Sequence, residues 1–165
     1  MKKYLKYLFT CLSAAVFITA SSPTKSSEEW RTDYKKALEQ AVVERKKVLL
    51  NFTGSDWCRW CIRFKEEVFD RPEFVQFAKK HLVLVRVDFP RSGSLPRRLL
   101  EQNERLRKEY RVREFPTFVL LDCNGKKLRE RVGYMEGGAT EMGRWIHLLP
   151  SHCKASGSGR YKIEG

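Results

Sequence analysis

Along this chain the apolar positions change period several times, and each change marks an element. Trp30, Tyr34, Ala37, Leu38, Ala41 and Val42 recur at helical spacing and predict a helix with one apolar face. Ser26 followed by Glu29 resembles a capping box and sets its expected start. Lys46-Lys47 ends it, and the run Val48-Leu49-Leu50-Asn51-Phe52 predicts a buried strand. Thr53-Gly54-Ser55-Asp56 forms a loop, after which a helix is expected from Cys58 to about Phe69. Asp70 with Glu73 should cap a second, short helix carrying Phe74, Val75, Phe77 and Ala78. Leu82 to Val87, mostly apolar, predicts a central parallel strand.

The second half of the chain continues in the same way. A loop from Phe89 to Leu95 leads to a charged amphipathic helix marked by Leu99, Leu106 and Tyr110. Thr117-Phe118-Val119-Leu120-Leu121 predicts a strand, and Asn124-Gly125 is a strong hairpin signal that returns Lys127 to Val132 antiparallel. Gly133 breaks that strand, and Thr140 to Leu149 supplies a last helix with Met142, Trp145, Ile146 and Leu149 on one face. A βαβ unit followed by a hairpin and a helix predicts an α/β fold whose mixed sheet is covered on both faces.

The N-terminus stands apart from this pattern. Met1 to Lys6 is basic and Leu8 to Ala20 is uncharged and apolar, so 1–20 reads as a signal peptide too short to span a bilayer comfortably, with an uncleaved anchor as the alternative. Cys11 falls inside it and is expected to be removed with it. Residues 21–27 read as a linker, 28–150 as one domain, and 151–165, Gly/Ser-rich and polar from Lys154, as a flexible tail. Lys and Arg total 33 against 20 acids, a formal charge of +13. The leader holds Lys2, Lys3 and Lys6 and no acids, which leaves +10 without it. That excess suits a solvated basic surface, an acidic partner or a membrane surface, and no nucleic-acid motif accompanies it.

Candidate chemistry concentrates in Trp57-Cys58-Arg59-Trp60-Cys61, between a strand and a helix. At a helix start, free backbone N–H groups and the positive helix end favour a thiolate at Cys58, and Cys61, one turn on, can close a disulfide with it. In an exported compartment such a dithiol meets substrates whose disulfides persist. A purely structural disulfide is a weaker reading, because so short a loop removes little chain entropy. Zinc would need two further ligands, which only His147, His152 and Cys153 could supply. His81, ahead of a strand, has no evident role, and Cys123 and Cys153 either pair or remain free thiols.

The order of elements, with Cys58-Arg59-Trp60-Cys61 after the first strand and Glu114-Phe115-Pro116-Thr117 before the third, resembles the thioredoxin superfamily over roughly residues 28–150. The longer string Phe52 to Cys61, with Val68-Phe69 and Val85 to Pro90, is similar to the exported thioredoxin-like proteins of the DsbH type. The resemblance implies a thioredoxin fold and a periplasmic thiol-disulfide oxidoreductase working as a reductase on protein disulfides. It further implies no cofactor or metal, a membrane thiol-transfer partner that re-reduces the protein, and a monomer. By the same resemblance Cys58 is the exposed nucleophile and Cys61 resolves the mixed disulfide. Pro116 is expected to be a cis-proline facing the pair, with the Phe115 backbone offering strand-like hydrogen bonds to substrate. Trp57 would shield the site, and Arg59 and Trp60 complete the substrate-binding surface.

Two departures qualify the likeness. Asn51 stands where thioredoxins commonly carry a buried acid, so water, Glu66 or Glu67 must assist the second cysteine, or that step is slower. Arg59-Trp60 replaces Gly-Pro between the cysteines, and a guanidinium beside Cys58 favours the thiolate. Rival functions are a dithiol oxidase or isomerase, and a non-catalytic peptide-binding module on the same fold.

Overall fold

A computed structural model describes residues 30–93 and 95–147 of the 165-residue chain. The expected leader, linker and tail lie outside the described residues, as do Ser26, Glu29, Leu149, His152 and Cys153. The element order is α1 (Tyr34–Glu44), β1 (Lys47–Thr53), α2 (Arg59–Phe64), a π-helical turn (Lys65–Phe69), α3 (Pro72–His81), β2 (Leu82–Asp88), α4 (Arg97–Glu109), β3 (Thr117–Leu121), β4 (Lys127–Val132) and α5 (Gly138–His147).

The four strands form one sheet in the order β2-β1-β3-β4. β1 runs parallel to β2, with Val48 opposite Val83 and Phe52 opposite Val87, and antiparallel to β3, with Leu50 opposite Val119. β3 and β4 form the hairpin, whose turn is closed by Gly125 at φ 81° and by Asp122 Oδ1, which accepts from the N–H groups of Asn124 and Lys126 at 2.9 Å each. Successive strand side chains alternate between faces, and the core divides accordingly. Val48, Leu50, Phe52, Val83, Val85, Val87, Val119 and Leu121 pack with Ala37 and Ala41 of α1 and Leu106 of α4. Leu49, Leu82, Leu84, Phe118 and Leu120 pack on the other face with Phe64, Phe74, Ala78, Met142 and Ile146 of α2, α3 and α5. The α/β fold with a mixed sheet sandwiched by helices is therefore present.

Several boundaries differ from the sequence reading, each for a local reason. The first helix begins at Tyr34, capped by Asp33, whose carboxylate accepts from the Lys36 N–H at 3.2 Å. The residues before it are extended: Arg31 pairs with β2, donating to the Leu84 carbonyl and accepting from the Arg86 N–H at 2.8 Å each. Trp30 consequently leaves the helix face assigned to it and packs edge-on against Phe69, ring centroids 4.8 Å apart, on the opposite side of the sheet. β2 is an edge strand of the four-stranded sheet, not a central one; the Arg31 bridge and the helices on both faces account for its apolar composition. The helix after the cysteines converts to π geometry at Lys65, which lets Phe64, Val68 and Phe69 all reach the core. α3 starts with Pro72 at its first position after Arg71, with no side-chain cap, so Asp70 does not play the capping part expected of it. Asp70 instead receives the Lys65 ammonium at 2.6 Å. No helix among the described residues is long and apolar enough to cross a membrane.

Candidate active site

The end of β1 delivers the cysteine motif. Beyond Thr53 the chain turns sharply, the N–H groups of Trp57 and Cys58 both donating to the Gly54 carbonyl at 3.3 and 2.9 Å. Asp88, at the end of β2 and 8% exposed, anchors this turn by accepting from the Ser55 N–H at 3.0 Å and its hydroxyl at 2.6 Å. The Asp88 carbonyl in turn receives the Asn103 side-chain amide from α4 at 2.9 Å. The cysteines thus sit on a frame built from two strands and a helix.

Cys58 is the N-cap of α2, and its Sγ accepts from the Cys61 N–H at 3.2 Å. The pair is joined as a disulfide, with the Cα atoms 5.2 Å apart. Cys58 is 7% and Cys61 6% exposed. The expectation that Cys58 is the exposed member is therefore corrected: solvent access does not separate the two residues in this disulfide form. Their places on the helix do, since the N-cap sulfur is the one that an orphan helix N–H addresses. Arg59 and Trp60, the two residues between them, are exposed, Trp60 by 50%.

Trp57 is half-buried and ties three segments together. Its indole N–H donates to the Phe89 carbonyl at 2.8 Å, its ring meets Phe115 edge-on at 5.9 Å, and the Arg91 guanidinium lies 4.1 Å above it. Phe89 and Phe115 stack at 5.2 Å. Asp56 completes the clamp by accepting from the N–H groups of Arg91 (3.0 Å) and Ser92 (2.6 Å) and from the Ser92 hydroxyl. These bonds, the Ser92 hydroxyl first, hold its carboxyl down at about 2. The Phe115–Pro116 peptide bond is cis, and Pro116 is buried with its carbonyl accepting from the Gly133 N–H at 2.8 Å. Phe115 N–H and C=O make no hydrogen bond among the described residues.

A second cluster stands on the other side of Trp60. Its ring lies 5.3 Å from Tyr134, and the Arg63 guanidinium covers both rings at 5.6 and 5.0 Å. Glu67, on the π turn, accepts from the Tyr134 hydroxyl and from Arg63 at 2.8 Å, and these partners lower its carboxyl pKa. Glu67 is thus engaged with Arg63 and Tyr134, and Glu66 is exposed. Asn51 shares the parity of Leu49 and so the α2 side of the sheet; it is buried, and its Oδ1 is the single buried side-chain polar atom without a partner among the described residues. A carboxamide there can accept a hydrogen bond but cannot take up a proton.

The remaining candidates fall elsewhere. His81 and His147 pack on Phe77 and on each other, ring centroids 5.3 Å apart, at the ends of α3 and α5. Cys123 is buried and disulfide-bonded, and Cys153 lies outside the described residues. The sequence reading assigned no role to Asp56, Asp88, Phe89, Arg91 or Tyr134, although Asp56, Asp88 and Phe89 lie in the strings that carry the family resemblance. A short acid ahead of a cysteine motif is a natural acceptor for loop N–H groups.

Comparison with known proteins agrees with this geometry. Residues 34–147 match the family described as a thioredoxin-like domain. Disulfide bond reductase DsbH of Chlamydia pneumoniae is 40% identical over 110 residues, 67% of this chain and 65% of that protein. Thioredoxin-related protein DsbJ of the same organism is 29% identical over 126 residues, 76% of this chain and 36% of that protein. The chain thus spans about two thirds of the first relative and about a third of the second. A solved structure of a DsbH oxidoreductase, 37% identical, superposes with a TM-score of 0.65 over 71% of this chain and 81% of its own. The fold, the placement of the cysteine pair and these matches lead to one conclusion: the chain belongs to the thioredoxin-like domain family.

Proposed function

We propose that this protein is an exported thiol-disulfide oxidoreductase that reduces protein disulfides through Cys58 and Cys61. The observation that carries the reading is the Cys58–Cys61 disulfide at the start of α2, with the Cys61 N–H directed at Cys58 Sγ. That N–H and the helix end stabilise a negative sulfur at Cys58 when the bridge is open. The likeness to DsbH supports the direction, and the basic-then-apolar N-terminus supports export to a periplasm.

In the reduced protein the Cys58 thiolate attacks one sulfur of a substrate disulfide. A mixed disulfide forms and the other substrate sulfur leaves as a thiolate, which takes a proton from solvent. Cys61, deprotonated, then attacks Cys58 Sγ, closing the intramolecular disulfide and expelling the second substrate thiolate. Two electrons pass from the cysteine pair to the substrate, and a partner dithiol, such as a membrane thiol-transfer protein, must return them. Phe115 and Pro116 would receive the substrate backbone beside the pair, Trp57 would wall the site, and Arg59 and Trp60 would meet the substrate at its rim. The protein acts as a monomer.

The test is insulin reduction with dithiothreitol, followed by turbidity. Wild-type protein is expected to accelerate it and Cys58→Ser to abolish the effect. Cys61→Ser is expected to trap mixed disulfides with substrate, and Cys58→Ser to trap none. Faster alkylation of Cys61 than of Cys58 in the reduced protein would reverse the two roles. A peptide-binding module on this fold would bind without accelerating reduction at all.

A further inference from the structure

The chain carries five cysteines, and only Cys58 and Cys61 enter the chemistry above. Those two are joined to each other, and Cys123, 3% exposed, is also disulfide-bonded. Its partner within the chain is therefore one of the remaining two, Cys11 or Cys153. Position decides between them. Cys123 follows β3, whose end pairs with the start of β1, Leu121 opposite Val48. The start of β1 also meets the end of α5: Lys47, buried, donates its ammonium to the Ile146 carbonyl at 3.1 Å. α5 thus finishes at the same end of the sheet as Cys123. Cys123 packs on the α1 face and Ile146 on the other. The connection must pass round the sheet end, a path of about 10 Å, the spacing of packed layers. Residues 148–153, extended, reach about 20 Å. Cys11 lies in the stretch read as a leader, and its removal rests on the export reading above.

We propose that Cys123 and Cys153 form a second disulfide, a clamp that ties the chain after α5 to the β3–β4 turn and stays closed while Cys58 and Cys61 cycle. Closing it oxidises two thiols. Two protons and two electrons leave them, and the disulfide of a donor in the exported compartment is reduced to two thiols. Three observations set this pair apart from the first. β1, seven residues and about 20 Å long, separates Cys123 from the motif, so the two pairs cannot exchange sulfur bonds within one molecule. Cys58 caps a helix, where a thiolate is stabilised and leaves readily. Cys123 instead sits in a turn beside the Asp122 carboxylate, which disfavours a thiolate. The loop closed is also far longer than the three-position spacing of Cys58 and Cys61, so the bridge restricts the unfolded chain more. What the clamp secures is α5, whose Met142 and Ile146 are buried in the same cluster as Phe64 of α2.

Trypsin puts every cysteine on its own peptide: 7–25, 48–59, 60–63, 114–126 and 145–154. The full chain, expressed with its own leader and recovered from the periplasm of a bacterial host, is alkylated without reductant, digested and mapped by mass spectrometry. Peptide 114–126 is expected to be linked to 145–154, and 48–59 to 60–63. An alkylated Cys123, or its linkage to 7–25 or to a second copy of 114–126, would overturn the proposal. A glutathione buffer that opens half of the Cys58–Cys61 bridges is expected to leave at least about nine tenths of the second bridge closed; both opening together would contradict a clamp. Cys153→Ser is expected to lower the melting temperature by at least about 4 °C and to leave insulin reduction within about twofold of wild type, the motif being distant. An unchanged melting temperature would show that the bridge secures nothing. If the chain stays in the cytoplasm, the export reading fails by itself. The same chain, purified and reoxidised with glutathione disulfide, then decides the bridge through the same linkages.

Discussion

At the scale of single residues, the site depends on groups that touch no sulfur. Asp56 is fully exposed, yet its bonds to the Ser92 hydroxyl, the Ser92 N–H and the Arg91 N–H hold its pKa at about 2. In the unfolded chain the same carboxyl titrates near about 3.9. The folded value is the lower one, so the unfolded state binds more protons between these pH values. The contribution of Asp56 is therefore complete above about pH 5 and disappears as pH falls through about 2. Asp56→Asn is expected to be less stable than wild type at neutral pH, with the difference narrowing between about pH 4 and pH 2. Urea midpoints across that range check this, and a difference independent of pH would show that the clamp does not rely on charge. Asn51 makes the opposite point: with no proton to exchange, it leaves the departure of the Cys61 proton to another acceptor.

At the scale of elements, the motif loop is fitted around Trp57. A Cβ on Gly54 would lie 2.4 Å from Trp57 Cε2 and 2.6 Å from Nε1, and the ring cannot yield easily because Phe89, Arg91 and Phe115 hold it. Gly54→Ala is expected to displace the indole from the Phe89 carbonyl and to cost about 1–3 kcal/mol. Urea unfolding reads the loss and near-ultraviolet circular dichroism the moved ring; an unchanged spectrum would mean that the backbone, not the ring, absorbs the clash. The elements themselves were legible in the sequence wherever a periodic pattern ran into a strong stop. Val48 to Phe52, Thr117 to Leu121 and the Asn124-Gly125 turn were readable because short apolar runs bounded by charge and by turn chemistry are local signals. What was not legible came from tertiary contact. Trp30 fits a helical period but is drawn to Phe69 once Arg31 pairs with β2. The π turn at Lys65 answers to core packing that no local propensity encodes. The cysteine pair and Pro116 were visible as motifs, whereas the loop that carries Phe89 and Arg91 to Trp57 read only as a loop.

At the scale of the whole molecule, both sheet faces must be packed for β1 to hold the motif in place. Phe118, fully buried, stacks against Phe64 at 4.7 Å, directly beneath the helix that carries the cysteines. Phe118→Ala is expected to cost about 3–5 kcal/mol, a large share of the total of about 5–15 kcal/mol typical of a domain. Thermal or urea unfolding checks it, and a loss under about 1 kcal/mol would show that α2 does not depend on this contact. The direction of electron flow is likewise a property of the whole molecule, because it depends on the free-energy difference between the dithiol and disulfide forms. Thioredoxin lies near about −270 mV and a strong oxidase near about −120 mV. Any thiolate stabilisation by Arg59 would come from one exposed charge, worth at most about 1 kcal/mol. About 30 mV corresponds to about 1.4 kcal/mol for this couple, so Arg59 cannot span that gap. The most direct test of the account is the reduction potential of the Cys58–Cys61 pair, measured by equilibration with glutathione. The account predicts a value between about −220 and −280 mV; a value above about −170 mV would contradict the reductase reading and make the protein an oxidase or isomerase.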